Sequence, residues 1–178
     1  GEGSTVGGAK RLAAVLKDVS ERAGWGREMP ANEGFGVAVG HGQERGMPTW
    51  IACVAHVAVD PSSGDVTLKK LWQTIDVGTV VNPDGAMAQA EGAALWGVSL
   101  ALHEGAQFAN GEVLEQNLDR YTPLRMSDVP ELDIAFVDSD EFPSGLGEPP
   151  LIPVAPAIGN AIFAATGQRV RELPIKLV

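Results

Sequence analysis

The chain has 178 residues, 44% hydrophobic and 20% charged, a globular composition long enough to bury one core. Its net charge is −10, and only Lys10-Arg11 and Lys69-Lys70 set two cations side by side, which excludes nucleic acid and other polyanions as partners. Cys53 is the single cysteine and His41, His56 and His103 lie far apart, which excludes an internal disulfide, an iron–sulfur cluster on this chain and a zinc motif.

Residues 1–9, opening Gly1-Glu2-Gly3-Ser4, have no signal-peptide layout and read as a linker or a processed end. Residues 10–178 read as a single domain that is part of something longer. No stretch reaches the ~20 apolar residues that span a bilayer. Leu12, Val15, Leu16 and Val19 recur at helical spacing and predict a helix over 9–24 that stops at Gly24. Gly34–Gly40 alternates small and apolar residues, as a strand packed closely against a neighbour does. Ile51–Asp60 and Val66–Val77 flank the turn Pro61-Ser62-Ser63-Gly64-Asp65 and predict a hairpin. Cys53, inside the apolar run of its first strand, reads as a buried, inert thiol.

Asn82 is placed to cap a helix that begins at Pro83 and runs to about His103. Gly85, Gly92 and Gly97 cost that helix propensity, which tight packing must offset, and its Leu95 and Trp96 read as core. Asn110-Gly111 marks a short hairpin, Leu132–Asp138 alternates as a strand, and Phe142–Pro153 is a Gly/Pro-rich loop. An apolar helix over Ala155–Thr166 ends at Gly167, suited to a left-handed cap. The elements give an α+β fold: an antiparallel or mixed sheet packed with at least three helices.

Inside the loop, Gly145-Leu146-Gly147-Glu148-Pro149-Pro150 fixes one carboxylate between a glycine and two prolines. Pro149 biases Glu148 away from helical dihedrals, and both prolines remove backbone donors. The apolar residues that follow predict partial desolvation, a setting that tunes a general base. On the residues alone, a solvated loop glutamate is the commoner case.

Several segments together carry a resemblance. The loop resembles the G-x-G-E-P-P stretch of the xanthine oxidase/aldehyde oxidase family of molybdenum hydroxylases. Upstream, Asp76-Val77-Gly78-Thr79-Val80-Val81-Asn82-Pro83 and Gln89-Ala90-Glu91-Gly92 resemble that family's D-x-G-x-x-x-N-P and Q-x-E-G segments, in the same order. Tyr121-Thr122-Pro123-Leu124-Arg125-Met126, Val129-Pro130-Glu131 and Ala161–Gly167 are similar to the isoquinoline 1-oxidoreductase β-subunit branch, which includes aldehyde dehydrogenases. The likeness runs over roughly residues 10–175.

The resemblance implies a C-terminal molybdopterin-binding domain of a large subunit. Glu148 would be the catalytic base, taking the proton from the hydroxyl on molybdenum as that oxygen attacks an aldehyde or N-heterocycle. Gln89, Gly147 and Gly92 would contact the molybdopterin, with its cytosine-dinucleotide form included, and no residue here would ligate the metal. The cofactor would be shared with the remainder of the subunit, iron–sulfur clusters would sit on a partner subunit, and a cytochrome or other acceptor would take the electrons. The compartment stays open between bacterial cytoplasm and periplasm. Bland readings stand beside these. Asp76 and Glu91 serve equally as structural carboxylates, Gly92 and Gly97 as helix-packing positions, and the whole chain as a non-catalytic packing domain.

Overall fold

The computed structural model describes residues 8–44 and 46–177, so the proposed N-terminal linker lies outside the described residues except for Gly8 and Ala9, which begin the first helix. In chain order the elements are α1 (Gly8–Ala23), β1 (Glu33–Glu44), β2 (Met47–Val59), β3 (Val66–Asp76), α2 (Pro83–Leu102), β4 (Phe108–Ala109), β5 (Glu112–Val113), β6 (Glu131–Phe136) and α3 (Val154–Thr166). Short 3₁₀ turns cover Met126–Asp128 and Pro149–Leu151. One sheet has the order β1-β2-β3-β6, antiparallel through β3, with β6 parallel to β3. The fold is thus α+β with a mixed sheet and three helices, as the sequence predicts. β4 and β5 form a separate small hairpin whose Asn110 and Gly111 both take positive φ, 53° and 83°, as a type I′ turn demands.

Alternation along β2 sorts the core into two layers. Cys53, Ala55 and Val57 face α2 and α3, while Trp50, Ala52 and Val54 face α1. On α1, Val15 and Val19 are fully buried against Phe35, Trp50 and Trp72, whereas Leu16 turns to solvent. Two arginines pin this helix to the sheet. Arg11 makes a bidentate pair with buried Asp76 (2.7 and 2.6 Å). Arg22 donates to the Gln73 and Asp133 carbonyls (2.9 and 2.7 Å) and pairs with the Asp133 carboxylate.

On the opposite face, α3 lies almost directly on the backbone of β1. A Cβ on Gly34 or Gly36 would collide with the main chain of α3, and one on Gly40 would stand 2.9 Å from Ile152 Cγ2. These glycines alternate with larger residues and share their face with one methyl side chain, Ala38, which packs into the core, so that face of β1 is nearly bare. The strand is longer than predicted and continues the lane to Gly42, where an added Cβ would lie 2.6 Å from Pro149 Cγ. Gly167 closes α3 with φ 77° and donates to Phe163 O (2.8 Å), the predicted left-handed cap.

By composition, Pro149–Thr166 is long and apolar enough to cross a membrane. It is not one helix, however: α3 has 13 residues, about 20 Å at 1.5 Å per residue, against about 30 Å of hydrocarbon. Its Val154, Ala157, Ile158, Ala161 and Ile162 are fully buried on the sheet and α2, which makes it a core helix.

Asn82 caps α2 by accepting from Gly85 N (3.1 Å), with Pro83 at the first position, as expected. Ala90, Ala94, Val98 and Ala101 face the core, where α2 packs on α3, the 3₁₀ turn Pro149–Leu151 and β6. Trp96 does not join them. It is 58% exposed, because the buried stripe of α2 is built from small residues and Trp96 falls on the other side. Cys53 is fully buried, and burial raises its thiol well above the ordinary range, so the inert reading holds.

Candidate functional site

The loop 142–153 leaves the sheet edge near Gly78 and returns across β1, and each of its turns is fixed by the strands beneath it. Ser144 N donates to Val77 O (2.9 Å). Thr49 Oγ1, on fully buried Thr49 of β2, donates to Gly145 O (2.5 Å) and lies 2.7 Å from Ser144 Oγ. Leu146 packs beside Ile51, Ile75, Val77 and Ala90. Pro149 and Pro150 are buried, Pro149 resting over Gly42. Gln73 of β3, fully buried, donates from Nε2 to Pro150 O (2.6 Å).

Glu148 stands at the head of this anchored turn. Its backbone has φ −97° and ψ −36°, the right-handed helical region, against the expected bias of the following proline away from helical dihedrals. The reason is local. Its carbonyl accepts from Leu151 N (3.0 Å) and opens the 3₁₀ turn, and that bond outweighs the pre-proline bias. Its side chain is exposed, so this chain by itself does not desolvate the carboxylate. The apolar residues that follow in sequence, Pro149 and Pro150 first, pack downward onto β1 and β3 and leave Glu148 on the outer side.

α2 brings Gln89 to the same place. A Cβ on Gly147 would lie 3.4 Å from Gln89 Nε2, so the amide rests on the glycine beside Glu148. Gln89 is exposed and makes no hydrogen bond among the described residues. Farther along the helix, Gly97 is closed by Val154 Cβ (2.8 Å) and Leu151 O (3.1 Å), a packing position and nothing more. Gly92 has nothing within 4 Å of an added Cβ and faces open space. Glu148, Gly147 and Gln89 are therefore brought together, while Gly92 lies on α2 three residues beyond Gln89 without touching them.

The remaining candidates separate cleanly. Asp76 is a structural carboxylate, engaged by Arg11 and by Gly78 N (3.2 Å). Glu91 and Arg125 are exposed, without a salt bridge among the described residues. No group of three His, Cys, Asp or Glu among the described residues is arranged to hold a metal. Sequence reasoning missed Thr49, Gln73 and Ser144. A glutamine and a threonine at inward positions of apolar strands were the available signal.

Residues 7–130 match the family model described as molybdopterin cofactor-binding domain. The chain is 54% identical over 173 residues to the membrane-bound aldehyde dehydrogenase (pyrroloquinoline-quinone) of Gluconacetobacter polyoxogenes, covering 97% of this chain and 22% of that protein. It is 36% identical over 166 residues to isoquinoline 1-oxidoreductase subunit beta of Brevundimonas diminuta, covering 93% of this chain and 21% of that one. Among solved structures it is similar to the aldehyde oxidoreductase from Desulfovibrio gigas, with a TM-score of 0.62 and 30% identity over 72% of this chain and 14% of that chain. The chain thus spans about a fifth of the length of these curated relatives.

Proposed function

The chain belongs to the molybdopterin cofactor-binding domain family, and we propose that it is the part of a larger molybdenum hydroxylase subunit that brings a base, Glu148, to the cofactor. The observation that carries this reading is the contact of Gln89 with Gly147 beside Glu148, which joins two distant motifs on one open surface. The donor set fits a polar pterin. Gln89 offers an amide whose N–H and C=O are both uncommitted among the described residues, and Gly147 has no side chain to cover it. The chain offers the cofactor hydrogen-bonding groups rather than metal ligands.

Bound there, molybdopterin would supply the metal at which the substrate is oxidised and its electrons are collected. Glu148 would accept the proton from the water-derived oxygen that attacks the substrate carbon, a task for which a carboxylate becomes a stronger base once desolvated. Because its side chain is exposed here, that desolvation belongs to the rest of the subunit and to the cofactor. The proposed substrates are aldehydes or electron-poor N-heterocycles, the classes named in the two relatives. The quinone named in the first of them is a different cofactor; the family model matched here is the molybdopterin one. The cytosine-dinucleotide form, iron–sulfur clusters on a partner subunit and a cytochrome-type acceptor complete the proposal. The chain acts as one unit within that assembly.

The exposure of Glu148 favours a second reading, a packing domain whose carboxylate has no chemical task. Glu148→Gln in the complete enzyme decides between them. The amide keeps the size and loses the basicity, so turnover should be abolished with molybdopterin content unchanged. Turnover within about tenfold of wild type corresponds to only ~1.4 kcal/mol, too little for the base, and would leave the packing reading.

A further inference from the structure

We propose that Gln73 and Thr49 are positioning residues that act through Glu148, a two-point buried latch on the turn that carries it. The inference rests on the reading of Glu148 as the base. The two side chains grip opposite sides of the turn. Thr49 Oγ1 holds the carbonyl of Gly145, three residues before Glu148, and Gln73 Nε2 holds the carbonyl of Pro150, two residues after it. They come from adjacent strands, β2 and β3, and both are fully buried.

Packing alone does not account for either residue. Of the largest fully buried side chains, Gln73 is the one that is polar; its neighbours in that group are Ile, Leu and Val. Its Oε1 meets no N–H or O–H donor, the weak thiol of the cross-strand neighbour Cys53 being the side chain beside the amide, and burying so poorly satisfied an amide oxygen is destabilising. A methionine or leucine would fill the site without that cost. What the glutamine adds is one strong donor aimed at a carbonyl whose own residue, a proline, sits in a turn with few backbone donors. Thr49 does the same for a carbonyl flanked by a glycine-rich stretch that has no stiffness of its own. Proton transfer needs its base placed within a fraction of an ångström, so a rigid sheet gripping both ends of a short turn is a means of setting that position.

The test uses the complete enzyme with Gln73→Met and, separately, Thr49→Val, with Thr49→Ser as the conservative control. Three quantities are read: kcat and KM per molybdopterin-loaded enzyme, melting temperature, and amide hydrogen exchange at Leu151 and Ile152. Those two amides close the turn onto the carbonyls of Glu148 and Pro149. Expected are a kcat lower by about tenfold to a hundredfold with KM within about twofold, faster exchange at the two amides with β2 and β3 still protected, and recovery of the rate in Thr49→Ser. If Gln73→Met does not assemble, Thr49→Val stands alone. Normal kcat in the loaded variants, or unchanged exchange at both amides, overturns the latch. Glu148→Gln run in parallel separates the two ideas. If that variant turns over normally the base reading fails; if it is inactive while Gln73→Met and Thr49→Val are not, only the latch fails.

Discussion

Gly42→Ala puts a single methyl group against the ring of Pro149, and the geometry sets the size of the response. The new Cβ would lie 2.6 Å from Pro149 Cγ and 2.9 Å from its Cβ, whereas ordinary contact begins at 3.4 Å. The pyrrolidine ring can change only its pucker, which moves Cγ and leaves Cβ at 2.9 Å, so the turn must lift by about 0.5 Å or more, taking the adjacent Glu148 with it. Overpacking of this kind costs ~1–3 kcal/mol, and a displacement near 1 Å at a reacting group costs up to about a hundredfold in rate. The expected result is a melting temperature only a few degrees lower and a kcat down by about tenfold or more, with molybdopterin content retained. The assay is steady-state turnover normalised to cofactor content, alongside a thermal scan. A variant that folds, loads and turns over at the wild-type rate would refute the idea that β1 sets the height of the Glu148 turn.

Three further outcomes follow from other parts of the structure. Arg11→Met strands the Asp76 carboxylate, 5% exposed, without its partner, and should lower stability by about 2–3 kcal/mol in denaturant unfolding; a second change, Asp76→Asn, should restore much of it. Hydrogen bonds from Lys69 and His56 hold Glu33 below its ordinary pKa of 4.5. Its stabilisation is therefore present above that value and lost as pH falls through the depressed one, so the difference in melting temperature between wild type and Glu33→Gln should be full at neutral pH and vanish in acid. Gly92→Ala replaces an exposed helical glycine facing open space and should hold or raise stability by up to ~1 kcal/mol. If cofactor lies over α2, the same variant should lower molybdopterin content in the complete enzyme, and unchanged content removes Gly92 from the site.

Much of the architecture is legible in the sequence because its punctuation is local. Asn82-Pro83, Asn110-Gly111 and Gly167 each encode a cap or turn through their own dihedrals, and each sits where it was expected. Trp96 misled because size was taken for burial; the core side of α2 is made of alanines that let the helix sit close, and the large residue is outside. At the site, the meeting of Gln89, Gly147 and Glu148 followed from motif resemblance, since nothing in their spacing says that α2 and the loop converge. The backbone of Glu148 runs against the pre-proline preference because its carbonyl opens a 3₁₀ turn closed by Leu151 N, and that turn is anchored on a framework of distant strands. The polar groups that build that framework, Thr49 and Gln73, lie in apolar strands, where a lone polar residue has no periodic signature to mark its partner. The open side of Glu148 was unreadable for a different reason: whether a carboxylate is dry depends on what packs over it in three dimensions, and the loop sequence does not say that Pro149 and Pro150 turn down onto the strands and leave Glu148 outside.

The small-residue face of β1 also sets two different tolerances along the strand. Positions 34, 36, 40 and 42 accept a hydrogen atom and little else, whereas on the other face Phe35 is buried under α1, His41 lies against the ring of Trp50, and Val39, 42% exposed, looks to solvent. A change at Val39 meets mainly solvent and is tolerated where one on the glycine lane is not. Loss or gain of one residue between 34 and 42 is another matter: the pleat has a period of two, so the shift would trade one set for the other and press side chains into α3 and the proline turn at once. This stretch of chain is therefore strict in length and, along its glycine side, strict in composition as well.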